Sequence, residues 1–141
     1  MLTRIDHIGI ACRDLAATIA FYTRTFGLTL TSEETIAEQG VREAMLAVAD
    51  APAGTSYVQL LEPLGPDTPV GRFLARRGEG IHHVGYGVAD IGTALESVGA
   101  TGVRLLDTRP RHGSMGAAIA FLHPADVGGV LTELVQTARN S

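Results

Sequence analysis

The chain has no lysine, no tryptophan, a single cysteine and few aromatic side chains. One cysteine can neither close an intramolecular disulfide nor build a thiolate metal site, which fits a reducing cytoplasm. Histidine, carboxylate and amide are then the metal ligands open to it. No apolar run of about 18 residues occurs, so no membrane-spanning helix is expected. Arg4, Asp6, His7 and Arg13 break up the first stretch, so no signal-peptide core is expected either, and the location expected is cytoplasmic. An excess of positive charge is also missing: eleven basic residues, all arginine, face fifteen acidic ones, for a net charge of −4. No field favours a phosphate-rich partner, so neither nucleic acid nor an anionic membrane is expected to bind. What is left is ordinary. With 141 residues, 45% of them hydrophobic and 18% charged, the chain can bury one core as a single domain over 1–141, which excludes a multidomain enzyme.

A long-period repeat dictates architecture, and one is present. Ile5-Asp6-His7-Ile8-Gly9 is matched 76 residues later by Ile81-His82-His83-Val84-Gly85, and Asp14-Leu15 by Asp90-Ile91. Gly54-Thr55-Ser56-Tyr57-Val58-Gln59-Leu60-Leu61 is matched 74 residues later by Gly128-Gly129-Val130-Leu131-Thr132-Glu133-Leu134-Val135. Each copy opens as a strand, and Asp14 and Asp90 stand where a helix N-cap belongs. Leu15, Ile19, Tyr22 and Phe26 recur at helical spacing before Gly27, and Ile91, Ala94, Leu95 and Val98 before Gly99. Two further strands fit before each closing strand: 28–34 and 41–49 in the first copy, 103–107 and 117–121 in the second. The unit predicted is βαβββ, present twice, over about 3–62 and 81–136. The linker, 63–80, is rich in turn residues, and Pro69 at a first helical position starts a short helix carrying Val70, Phe73 and Leu74. Two facing, curved, mixed four-stranded sheets with helices outside give an α+β architecture around a cleft.

Strand alternation then sorts the polar residues. His7 shares a face with Gly9 and Ala11, while Ile8 and Ile10 turn toward the helices; in the second copy the same register turns His83, Gly85 and Gly87 inward and His82 outward. Gln59 and Glu133 occupy matching places in the closing strands. A lone strand histidine is more often a hydrogen-bonded core or surface residue than a ligand. Four polar residues at repeat-matched inward positions change that balance. His7, Gln59, His83 and Glu133 offer two imidazoles, an amide oxygen and a carboxylate, a set suited to a six-coordinate divalent ion with two open positions. Glu43 alternates with Ala44, Leu46 and Val48, so its face is solvent or the cleft, and glutamate's rarity in full burial favours solvent. His112 and His123 lie near Pro and Gly in expected loops, and Cys12 reads as inert packing.

With these residues in view, the doubled βαβββ unit resembles the vicinal oxygen chelate superfamily, which includes glyoxalase I and the extradiol dioxygenases. Three stretches are similar to the methylmalonyl-CoA epimerases within it. They are Asp6-His7-Ile8-Gly9-Ile10-Ala11, the run from Leu60-Leu61-Glu62-Pro63 to Gly78-Glu79-Gly80-Ile81-His82-His83, and the run from Phe121-Leu122-His123-Pro124 to Glu133-Leu134-Val135-Gln136. The resemblance implies a glyoxalase/bleomycin-resistance-like fold and interconversion of the 2R and 2S epimers of methylmalonyl-CoA in propionyl-CoA metabolism. It implies the metal ligands His7, Gln59, His83 and Glu133. Co2+ is the ion expected, with Mn2+, Ni2+, Zn2+ or Mg2+ as alternatives. An acyl-CoA substrate and a homodimer follow from the same resemblance. Some such epimerases carry a Glu at the position of Glu43 as one acid/base, and others an apolar residue.

Epimerisation between a carboxylate and a thioester needs a proton removed from one face and returned to the other. Glu43 and Glu133 are assigned as that pair, with Glu133 also a ligand, and a metal-stabilised enolate as the intermediate. Arg111, Ser114, Met115 and Gly116, in a Gly-rich loop, are assigned to the substrate, whose carboxylate the backbone N–H groups could receive. Rival readings are an extradiol dioxygenase, a glyoxalase I-like lyase and a non-catalytic small-molecule binder. Gln59 as a fourth ligand counts against the dioxygenase, which needs three open sites. A lyase of that kind usually carries two glutamates among its ligands, and the binders line their clefts with aromatics that this chain is short of.

Overall fold

In a computed structural model that describes residues 1–138, both aspartates cap helices as expected. Asp14 accepts from the Ala17 N–H at 3.0 Å and starts α1 (Leu15–Phe26); Asp90 accepts from the Thr93 N–H at 2.9 Å and starts α3 (Ile91–Ala100). Each satisfies an N–H that no helical carbonyl can reach. Between them lies α2 (Pro69–Arg77), which starts on Pro69 and is capped by the Thr68 hydroxyl. Gly27 ends α1 in the left-handed region at φ 70°. Gly99, expected to stop the second repeat's helix, does not: α3 runs to Ala100, and the glycine that turns left-handed is Gly102, at φ 97°.

The strands are β1 (Leu2–Ala11), β2 (Leu28–Ile36), β3 (Val41–Val48), β4 (Tyr57–Pro63), β5 (Gly80–Val88), β6 (Arg111–His112), β7 (Ala118–Leu122) and β8 (Thr132–Gln136). They form one mixed eight-stranded sheet in the order β2-β3-β4-β1-β5-β8-β7-β6, so the α+β class and the doubled βαβββ order hold. In each repeat the first and last strands are parallel, β1 with β4 and β5 with β8, and the other pairs are antiparallel.

The strand expected at 103–107 is a correction. That segment is a loop with one bridge, Leu105 to Leu122, and the partner of β7 is instead the two-residue β6, which takes in His112. Phe121 holds much of the loop: the N–H groups of Leu106 and Asp107 both donate to its carbonyl, and the Asp107 carboxylate accepts its N–H at 2.9 Å, while the Arg104 carbonyl accepts the His123 N–H.

The chain divides into two compact units, one from His7 to His82 and one made of Met1–Asp6 with the chain from His83 on. In the first, α1 packs Leu15 against Cys12, Ala44, Leu46 and Leu60, while α2 packs Val70 and Leu74 against Ala11, Ile36, Val41 and Leu61. In the second, α3 packs Ile91, Ala94 and Leu95 against Val88, Ala120, Leu122 and Leu134. So α1 and α3 each cover one face of their own unit's strands.

The Asp14→Ala and Asp90→Ala proteins should each lose about 0.5–2 kcal/mol in urea unfolding, the usual cost of an N-cap. Burial pushes the Cys12 thiol up to about 11 from 9.0, outweighing a hydrogen bond with Thr18. The fold therefore keeps a proton that the unfolded chain releases, so this contribution is complete below pH 9 and fades as pH rises toward 11. Iodoacetamide at pH 8 should label native protein far more slowly than urea-unfolded protein; equal rates would show the thiol to be accessible.

Candidate functional site

Register decides which side chains share a face. In the His7–His82 unit, Gly9 pairs with Gln59 across β1 and β4, and Met45 pairs with Gln59 and Glu43 with Leu61 across β3 and β4. Directly opposed residues point the same way, and residues two apart along a strand do so as well. His7, Glu43, Met45 and Gln59 therefore lie on one face, the face opposite the α1 contacts of Leu46 and Leu60. Gly9 stands beside both His7 and Gln59 and brings no side chain of its own.

The other unit repeats the device. Gly85 pairs with Glu133 across β5 and β8, and Phe121 pairs with Glu133 across β7 and β8. His83, Phe121 and Glu133 share the face that α3 does not cover, and Gly85 again leaves room for the two polar side chains. His83 Nε2 stands 3.9 Å from Glu133 Oε1. His82 points the other way, where its ring meets the Phe73 ring edge-on at 5.1 Å and burial lowers it to about 4. It is neutral at physiological pH and belongs to packing.

His7, Gln59, His83 and Glu133 are all buried. His7, His83 and Glu133 form a cluster in which one ligand atom from each lies within 4.8 Å of the others. Two imidazole nitrogens and a carboxylate oxygen, all buried, are a donor set that suits a divalent cation.

Glu43 corrects the expectation of a solvated strand position: it is 0% exposed. The alternation holds, but the face it defines is the buried one that carries His7 and Gln59.

Arg111 sits in β6 with Nε 3.0 Å from Asp107 Oδ1 and its guanidinium 5.9 Å from the centre of the Phe121 ring. Ser114, Met115 and Gly116 form a tight turn that returns the Ala117 N–H to the Ser114 carbonyl. Met115 adopts φ 55°, a left-handed conformation that costs a non-glycine residue about 1 kcal/mol or more, and such strain concentrates in functional loops. Phe121 and Asp107 escaped the sequence reading. Alternation in β7 could have placed Phe121 beside Glu133, whereas nothing local marks Asp107.

Residues 6–121 match the Glyoxalase/Bleomycin resistance protein/Dioxygenase superfamily. The chain is 37% identical to the Bacillus subtilis protein YqjC over 96% of this chain and 93% of that one. It is 34% identical to the ethylmalonyl-CoA/methylmalonyl-CoA epimerase of Cereibacter sphaeroides over 96% of this chain and 99% of that one. Among solved structures, a methylmalonyl-CoA epimerase in complex with methylmalonyl-CoA and NH4+ superposes with a TM-score of 0.93, at 54% identity, covering 98% of this chain and 96% of that one. The doubled unit, the inward ligand pairs and these matches agree, and the chain belongs to the Glyoxalase/Bleomycin resistance protein/Dioxygenase superfamily.

Proposed function

We propose that this chain is an isomerase that interconverts the (2R) and (2S) epimers of methylmalonyl-CoA with the aid of a divalent metal. The observation that carries the reading is the 54% identity, over 98% of the chain, to an epimerase that holds methylmalonyl-CoA. The buried His7, His83 and Glu133 cluster supports the metal, and Gln59, on the same face as His7, is the fourth ligand in this reading. A divalent ion there supplies a Lewis acid for the negative charge that develops on the thioester oxygen as the C2 proton leaves.

The chain's own residues move the proton. Inverting C2 requires a base on one face and an acid on the other. Glu43 and Glu133 take these roles, and the two carboxylates come from different strands, β3 and β8. The depth of Glu43 suits it to the task, since a base shielded from bulk water transfers its proton to the substrate rather than to solvent. The turn at Ser114, Met115 and Gly116 offers backbone N–H groups to the substrate's carboxylate, and Arg111 anchors the strand that leads into it. Co2+ is the proposed ion, the cytoplasm the proposed location, and a homodimer, to be read from light scattering, the proposed assembly.

Solvent-deuterium exchange at C2 of methylmalonyl-CoA tests the whole reading. Exchange with racemisation should vanish in EDTA-treated protein and return with Co2+; metal-replete protein without exchange would rule the substrate out. The Glu43→Gln protein should still bind Co2+ and lose about 10²- to 10⁴-fold in kcat. An undiminished rate would remove Glu43 from the proton transfer.

A further inference from the structure

We infer that Phe121 is a positioning residue: clamped by Arg111 and Asp107, its ring fixes the orientation of the His83 imidazole at the ligand cluster. The inference rests on the reading of His83 as a metal ligand and adds the device that aims it.

The His83 and Phe121 rings meet edge to face, with centroids 5.4 Å apart and planes at 81°. A neighbour in this geometry restricts rotation of the imidazole about its own axis, a torsion that is otherwise broad. For a metal ligand that rotation decides whether a nitrogen lone pair points at the ion, so whatever restricts it tunes affinity. Phe121 is suited to the role by register, since it stands directly opposite Glu133 and so sits beside two of the ligands at once.

The ring is itself held from behind. The guanidinium of Arg111 lies over it, and Asp107 Oδ1 stands 3.0 Å from its Nε, an ion pair without the alignment of a hydrogen bond. The same Asp107 carboxylate accepts the backbone N–H of Phe121, so one side chain anchors both the residue and the cation above its ring. Arg111 also begins the segment that continues into the turn at Ser114, Met115 and Gly116. The network therefore couples that turn to a ligand of the metal. The repeat supplies an internal comparison: Met45 takes the place of Phe121 opposite Gln59, a flexible thioether where the other unit has a rigid ring.

The test measures Co2+ affinity by chelator competition and, in metal-free protein, the NMR resonances of the His83 imidazole. Phe121→Leu should weaken Co2+ binding by about tenfold, the lower range for loss of a residue that orients a ligand, and should shift the His83 resonances. Phe121→Tyr, which keeps the ring, should restore both. Arg111→Met, at a partly exposed position, leaves Phe121 in place and should still shift the resonances and weaken binding, which serves if Phe121→Leu does not fold. Unchanged Co2+ affinity in both Phe121→Leu and Arg111→Met overturns the positioning role alone, because loss of a ring 5.4 Å away shifts the His83 resonances in Phe121→Leu whatever it does to the imidazole. A wild-type protein that takes up no Co2+, or a His83→Ala protein that binds it as tightly as wild type, overturns the ligand reading and the positioning role with it.

Discussion

A one-residue slip of β4 would turn Gln59 toward α1 and Leu60 toward the face that carries His7. Register is the constraint on which the rest depends, because side-chain direction in a strand has a period of two. The apolar faces enforce it. Burying a leucine side chain contributes roughly 1.5–3 kcal/mol, and leaving a buried polar group without a partner costs about 1–3 kcal/mol. A slip in β4 would forfeit the contacts of Leu60 with Leu15 and Leu46 and place an amide against α1 as well. In β8, Leu134 packs with the α3 residues and so commits Glu133 to the opposite face. α1 and α3 thus set the direction of these polar side chains by packing on the opposite face.

Much of this was legible in the sequence because periodic patterns are local. The offsets between the two copies locate β1 and β5, both aspartate caps and the correspondence of Gln59 with Glu133. Alternation also separated His83 from its neighbour His82. What escaped was held by single long-range contacts. The loop at 103–107 is fixed by hydrogen bonds to Phe121, His123 and Asp126, and Asp107 acts through its side chain, so neither leaves a periodic trace. Gly99 misled because a glycine can be accommodated inside a helix, and only the left-handed turn at Gly102 marks the true end. Glu43 misled because glutamate's usual preference for solvent is a rule about residue types, whereas the face that its strand alternation defines is a buried one.

The repeat is broken where function would require it. The two copies share a face geometry: an N-terminal strand with a histidine, a glycine two residues on, and a closing strand whose polar residue, Gln59 or Glu133, stands opposite that glycine. They differ in the third strand. Register places Glu43 opposite Leu61 and Ile119 opposite Val135, so Glu43 and Ile119 are counterparts, while Gln59 and Glu133 are counterparts in the closing strands. Each unit therefore brings one buried carboxylate to its ligand-bearing face, one from the third strand and the other from the closing strand.

For the proposed reaction that exchange has a chemical sense. A doubled unit with identical side chains would offer either two ligating carboxylates and no separate base, or two amides and no carboxylate ligand. An amide cannot take a proton at neutral pH, so in that proposal the copy with Gln59 needs a carboxylate elsewhere, and β3 carries Glu43 on the same face. The copy with Glu133 needs none, and its third strand carries Ile119 there with Phe121 next along the face. Inverting a carbon centre needs two proton-transfer groups that approach from different directions. A duplicated fold can provide this by keeping the backbone symmetric and swapping which strand of each copy carries the carboxylate.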